Sequence, residues 1–385
     1  MGTKRFRTKT NFLQRENGYC DGIWEIAMDI GYSANKLMSP NSVASFPSYA
    51  RRVGDDYQYA GSPPASSILY RNLESDDTWI VGEVAQNLIG SNDTSDSEAS
   101  LYGRDRYFTD MFKVISEAGF GIGLRLNMYG EPRGNKIVLQ TGLPERYMSD
   151  ESAIVESLAG PHAFALKIGG SDWETFSFNL DPQDIYVMSQ PKGTLFSVIT
   201  DNQGRFVEDA DELLSSSALI LDPGFGTFDI FAIQSGVVTQ GETFADLGMK
   251  RILHDTCRAI RENYGVEIAV PNMQKYLEMG VVRKFDKRNF SSKDYSFDNL
   301  LSTTCDKVCD EALLRMSSSF NLSDFNYLIV TGGTGAAWYK RIEERLKNLD
   351  FLTIIKGNRN DTLDFIYSNV RGYYNYRYNK LASGR

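Results

Sequence analysis

Two stretches decide the fold, Asp29-Ile30-Gly31-Tyr32-Ser33-Ala34-Asn35-Lys36 and Asp222-Pro223-Gly224-Phe225-Gly226-Thr227-Phe228-Asp229. Each ends an apolar run, 24–30 and 217–221, that reads as a buried strand. Each then turns on glycine, which lets the backbone approach a ligand and aim its N–H groups at an anion. A returning strand follows, near 36–38 in the first case and over 227–233 in the second. An Asp at a strand end can hold a metal-bound water. Lys36, seven residues after Asp29, can come back along a twisted hairpin to the same phosphates. Thr227 offers a hydroxyl at the second turn. Two such hairpins facing each other would pinch a polyphosphate from both sides, with Mg²⁺ shared through water. A third element, Gly332-Gly333-Thr334-Gly335, separates a buried strand at 327–330 from a helix expected over 336–349. There the backbone can lie flat against a base or ribose, and a helix N-terminus favours anions.

Working outward, the chain has 385 residues, 42% hydrophobic and 24% charged. That suits a globular protein of about two domains. The echo of one hairpin by the other suggests a duplicated α/β unit with a cleft between its halves. The net charge of −9 argues against nucleic acid or an anionic membrane as a direct partner, because both need clustered Lys and Arg. No apolar stretch reaches the ~20 residues of a membrane-spanning helix. Four Cys make no disulfide framework. A cytoplasmic location is the expectation. Lys4, Arg5, Arg7, Lys9 and Arg15 precede any acidic residue, so 1–19 reads as a solvated basic arm.

Between the hairpins, 91–100 is polar and acidic and reads as loop. A helix is expected over 105–118, and strands over 136–141, 163–168 and 185–189. After the second hairpin come helices over 246–262, 297–317 and 364–376. His162 and His254 lie far apart and read as structural or surface residues; with no CxxC, zinc is not expected. Cys305 and Cys309 read as buried helix thiols, and Tyr373, Tyr374, Tyr376 and Tyr378 as helix packing. No Gly-x-Ser-x-Gly or Cys/His arrangement signals a hydrolase nucleophile.

The three motifs in this order resemble the actin-like ATPase superfamily of actin, the heat-shock chaperone ATPase domains and the sugar kinases. Asp29 to Lys36 is similar to its first phosphate motif, Asp222 to Asp229 to its second, and Val330 to Gly335 to its adenosine motif. Phe46-Pro47-Ser48, Val81-Gly82-Glu83-Val84-Ala85 and Thr141-Gly142-Leu143-Pro144 resemble segments of the bacterial plasmid-segregation actins, the ParM/StbA family. Tyr32 stands where actins usually carry Ser, and Pro223 removes one backbone donor from the second turn.

The resemblance implies an α/β, actin-like (ribonuclease H-like) fold of two lobes. The first lobe would span 20–215 plus 364–385, with an inserted piece at about 42–102, and the second 216–363. It implies ATP or ADP with Mg²⁺, with GTP left open. Asp29 and Asp222 would organise the metal through water and serve catalysis, with Gln190 orienting the attacking water as a neutral group. Gly31, Tyr32, Ser33 and Lys36 would meet the β- and γ-phosphates. Gly224, Phe225, Gly226 and Thr227 would clamp them from the other side, and Gly332, Gly333 and Thr334 would lie along the adenosine. Gly372 would permit tight helix packing in the second connection between the lobes. The implied function is an ATPase filament that polymerises with ATP, disassembles after hydrolysis, and segregates plasmid DNA through a separate adaptor. The alternatives are a small-molecule kinase of the same fold and a monomeric nucleotide-dependent switch.

Overall fold

The computed structural model describes residues 2–54, 57–88 and 104–383. Its first sheet has the order β1-β4-β3-β2-β8-β11. These strands are β1 (Asn11–Gln14), β2 (Ile23–Ile30), β3 (Ala34–Ser39), β4 (Ser42–Pro47), β8 (Lys136–Leu143) and β11 (Ile185–Ser189). A second sheet, β10-β9-β6-β7-β5, joins β5 (Ala50–Val53), β6 (Ile68–Asn72), β7 (Thr78–Val81), β9 (Gly160–Ile168) and β10 (Glu174–Leu180). The third has the order β14-β13-β12-β17-β18. It consists of β12 (Ser217–Pro223), β13 (Phe228–Gln234), β14 (Val237–Phe244), β17 (Tyr327–Val330) and β18 (Thr353–Lys356). β15 (Val281–Asp286) and β16 (Ser291–Ser296) form a separate hairpin.

The first and third sheets repeat one plan. An antiparallel meander, β2-β3-β4 or β12-β13-β14, is followed by two parallel strands, β8 and β11 or β17 and β18. The duplication inferred from the two Asp-Gly turns is thus a duplication of whole sheets. Parallel strands need cover on both faces, which makes their sequences continuously apolar; Leu328, Ile329 and Val330 of β17 are fully buried.

The helices supply that cover. In the first half they are α1 (Glu83–Asn87), α2 (Asp110–Gly123), α3 (Glu151–Leu158), α4 (Gln190–Ile199) and α5 (Ala210–Ser215). The second half adds α6 (Met249–Tyr264), α7 (Met273–Met279), α8 (Asp298–Ser319), α9 (Gly333–Leu346) and α10 (Ser368–Ser383). α2 and α10 both pack on β2, and α10 crosses α4. That crossing is backbone on backbone: a Cβ on Gly372 would lie 1.6 Å from the Gly193 carbonyl oxygen. Gly372 therefore does permit the tight packing expected of it.

Several elements depart from the sequence reading. The helix expected over 105–118 is a 3₁₀ turn, Arg104–Phe108, and then α2. Thr109 separates them, its Oγ1 accepting the Phe112 N–H at 3.2 Å as an N-cap. The helix expected from 336 starts at Gly333, so three residues of the glycine motif form its first turn. The stretch 190–215, expected in the first lobe, packs Leu195, Val198, Ile199 and Leu213 against Ile220, Phe231 and Ile329 of the third sheet. The acidic loop at 91–100 lies outside the described residues.

The basic arm is the largest correction. Residues 1–19 are not solvated as a whole: Thr3 and Phe6 are buried, and β1 extends the first sheet against β4. Arg15 donates twice to Asp361 (2.8 and 2.9 Å), which also accepts from the fully buried Arg371 (3.0 Å). His162 is buried, with Nδ1 2.9 Å from Glu117 Oε1 and Nε2 3.1 Å from the Leu158 carbonyl, whereas His254 is exposed. Cys305 and Cys309 are buried, as are Tyr373 and Tyr374 of α10.

Candidate functional site

The first hairpin is built by β2 and β3 in a register that sets Asp29 opposite Lys36. Cross-strand neighbours share a face, and Lys36 Nζ donates to Asp29 Oδ2 at 3.0 Å. The turn closes through Gly31 N–H to the Ala34 carbonyl (3.1 Å). Lys36 folds over it so closely that a Cβ on Gly31 would meet Nζ at 2.9 Å. Ser48 braces the turn from below: its N–H donates to Ser33 O (3.0 Å) and its Oγ to Gly31 O (2.7 Å). Arg106 braces it from the side, donating to Ile30 O (2.7 Å) with its guanidinium 4.5 Å from the Tyr32 ring centroid. Burial raises the Tyr32 hydroxyl above its ordinary value.

The second hairpin pairs Asp222 with Asp229 across β12 and β13. Gly224 N–H donates to Thr227 O (2.8 Å) to close it. Hydrogen-bonded pairs alternate along an antiparallel ladder, so the Pro223 nitrogen faces the β17 side, where β17 has ended at Val330. The missing donor thus costs no ladder bond to β13. The proline ring packs instead beside Gly335, 3.5 Å from where a Cβ there would sit. Above the turn, a Cβ on Gly226 would meet nothing within 4 Å, so the space is open to a ligand. The Phe225 carbonyl accepts the Lys250 N–H (2.8 Å), which ties the turn to α6.

The carboxylates of this hairpin are fixed by neutral donors. Thr227 and Thr243 hydroxyls donate to the two oxygens of Asp229 (2.7 and 2.5 Å). Asn369 Nδ2 donates to Asp222 Oδ2 (3.0 Å), while its own oxygen accepts from Thr194 (2.5 Å). Solvent still touches Asp222, yet the surrounding protein desolvates its carboxyl and pushes it up to about 6. Asn369 opposes that rise; Asp229 and Asp29 add to it, and Lys36 offsets part. The two hairpins therefore lie near enough for the charges of one to act on the other. Asp229 is raised by burial, against which Thr243, Thr227 and Arg146 act.

The third motif touches the second directly. Gly332 has φ +76°, and a Cβ on it would lie 2.6 Å from Asp222 Oδ1. Only glycine fits there. Thr334 is buried and donates its hydroxyl to Gly224 O (2.8 Å), so it joins the motifs to one another instead of facing the cleft. Gln190 is the first residue of α4, half-buried, and its side chain makes no hydrogen bond among the described residues. Beneath both hairpins the buried Tyr373 hydroxyl has no hydrogen-bond partner among the described residues.

Among the described residues no three His, Cys, Asp or Glu side chains converge as a direct metal cage. The donor set still fits Mg²⁺, which keeps several waters and takes only one or two carboxylates when phosphates supply the rest. Sequence reasoning missed Ser48, Arg106, Asp229, Thr243 and Asn369 as parts of this site. Two of them carried a local signal, Asp229 closing the second motif seven residues after Asp222 and Ser48 ending Phe46-Pro47-Ser48.

The comparisons with known proteins agree with this architecture. Residues 27–193 match the family described as the N-terminal domain of actin-like proteins. A non-polymerisable quadruple mutant of pCBH ParM is similar over 92% of this chain and 99% of its own, with 20% identity and a TM-score of 0.68. ParM from a 15-stranded filament of Clostridium botulinum is similar over 92% of this chain and 99% of its own, with 17% identity and a TM-score of 0.67. Ta0583, an archaeal actin homolog, is similar over 93% and 99%, with 14% identity and a TM-score of 0.62. No curated protein sequence matches the chain. The chain thus has the actin-like fold of the ParM structures, and within it residues 27–193 match the N-terminal domain of actin-like proteins.

Proposed function

We propose that the chain is a nucleotide-driven filament subunit that binds ATP with Mg²⁺ in the cleft, polymerises, hydrolyses the nucleotide and disassembles. The observation that carries this reading is the pair of facing Asp-Gly hairpins, with Lys36 on one side and unpaired carboxylate charge on the other. Gly31, Tyr32, Ser33 and Lys36 contact the β- and γ-phosphates from the first hairpin; Gly224, Phe225, Gly226 and Thr227 contact them from the second. Gly332 and Gly333, at the N-terminus of α9, lie along the adenosine, and Thr334 holds that turn on Gly224. Bound Mg²⁺ supplies charge neutralisation for the phosphates. Asp29 and Asp222 hold its waters, and Gln190, at the first turn of α4, orients the attacking water. Catalysis is then mainly positioning and electrostatics, as in other phosphoryl transfers. A cytoplasmic filament that moves plasmid DNA through a separate DNA-binding adaptor is consistent with the net charge of −9.

Light scattering and pelleting with ATP, ADP and a slowly hydrolysed ATP analogue, each with Mg²⁺, test this reading. A rise with ATP that decays as phosphate is released is the expected result. Binding of ATP with no polymer at any concentration would overturn the filament reading and favour a kinase or switch.

A further inference from the structure

The segment preceding β2 spans both lobes. Its 3₁₀ turn, Thr3–Phe6, belongs to the second lobe and packs against α7 and α9. Thr3 N–H donates to Asp298 Oδ1 at the start of α8 (3.0 Å), and its hydroxyl donates to Leu277 O (2.8 Å). Phe6, 3% exposed, is a member of the second lobe's core with Leu277 and Trp338. Thr8 N–H donates to Gln274 Oε1 (3.0 Å), still in that lobe. Two residues later the chain is in the first lobe: Thr10 N–H donates to Glu83 Oε2 (3.1 Å), and β1 joins β4.

Arg7 stands at the crossing. Its Nη1 donates to Glu278 Oε2 of α7 (2.7 Å) and its Nη2 to Glu83 Oε1 of α1 (2.5 Å). One guanidinium thus holds one carboxylate of each lobe, and its side chain is only 9% exposed. The fork is rigid and planar, so both bonds survive only while α1 and α7 stay at this spacing. The lobe tips themselves leave a groove of about 550 Å³ between Gln86-Asn87 and the α6–α7 connection. The strap formed by residues 3–14 bonds to both sides.

The strap is also wired to the phosphate hairpin. Gly82, which precedes Glu83, donates its N–H to Tyr49 O (2.7 Å), and the adjacent Ser48 braces Gly31. At its other end it packs on α9, the helix that Gly333 opens.

We propose that Thr3–Gln14 is an interlobe latch that keeps the cleft closed and sets the rate at which nucleotide leaves. Phe6 anchors the latch in one lobe, β1 anchors it in the other, and the Arg7 fork fixes the closed spacing. The proposal rests on the nucleotide reading of the cleft.

The test has two readouts on the full chain. A fluorescent ADP analogue is preloaded with Mg²⁺ and chased with unlabelled ATP. Separately, the tip-to-tip distance is measured between labels on Asn87→Cys and Lys275→Cys, since the native cysteines are buried. Arg7→Gln and Glu278→Gln should release the analogue about tenfold faster, a change worth ~1.4 kcal/mol, and should lengthen the tip distance. Arg7→Lys, which keeps the charge and loses the fork, should fall between. Wild-type release and distance in both variants would overturn the latch. Slower release with tighter binding would overturn it too, since the strap would then be competing with nucleotide. If wild-type protein binds no nucleotide, the cleft reading fails, and the distance measurement alone decides the latch. Phe6→Ala serves as a stronger variant if its melting temperature stays near wild type.

Discussion

The two Asp-Gly hairpins share one topology and differ in charge. In the first, Asp29 has its own cation in Lys36, and the turn is braced by a hydroxyl and a stacked guanidinium. In the second, Asp222 and Asp229 sit across from each other with no cation bonded to either among the described residues; Asn369, Thr227 and Thr243 hold them with neutral donors. The first hairpin has its carboxylate compensated, and the second is a carboxylate surplus that a divalent cation would relieve. The residue facing the Asp differs between the halves, Lys36 in one and Asp229 in the other, and under the proposed function that difference suits the first to phosphate and the second to a divalent cation.

The sharpest way to break this contrast is Asp222→Ala. Hydrolysis should fall about 10²–10³-fold with nucleotide affinity changed far less, read by single-turnover phosphate release beside a binding titration. Wild-type turnover would remove Asp222 from the chemistry. Lys36→Ala should act the other way round. It strands the buried Asp29 and removes a phosphate partner, so affinity should drop about 10–100-fold, as for loss of a charge-assisted contact. Thr227→Val, its counterpart in the second turn, should cost less than about tenfold in the same titration.

The smallest effect sharpens the electrostatics. Asp222 holds its proton more tightly folded, at about 6, than at the ordinary 3.8. The folded state therefore binds more protons between those values, and stability contributed by the protonated group is lost as pH rises through that window. In Asp222→Asn this loss disappears. The melting-temperature gain of the variant over wild type should grow from about pH 4 to about pH 7, and Mg²⁺ with nucleotide should shrink it. A pH-independent difference would mean that Asp222 is not desolvated.

Much of this was legible in local sequence. The apolar runs 24–30 and 217–221 and the glycines after them are written in consecutive residues, and so are Lys36 and Asp229. The bracing of the site is not. Asn369 reaches Asp222 across 147 residues, and Thr334 reaches Gly224 across 110. Ser48 is visible as part of Phe46-Pro47-Ser48, yet its bonds under Gly31 depend on how β4 returns. Residues 1–19 misled for a physical reason. Their basic composition reads as solvated, but Arg7 and Arg15 find Glu83, Glu278 and Asp361 only in the folded chain. The β15–β16 hairpin gave no signal because nearly all its residues are exposed, so no apolar alternation marks it.

The Gly193–Gly372 contact has a mechanical meaning. The close approach lets side chains stitch the two helices together around it: Thr194 donates to Asn369, and Arg371 donates to the Ser197 and Thr200 carbonyls. Three residues before Gly372, Asn369 clasps Asp222 and Thr194 together. The side chain that holds Asp222 therefore sits less than one helical turn from the point where the two helices cross.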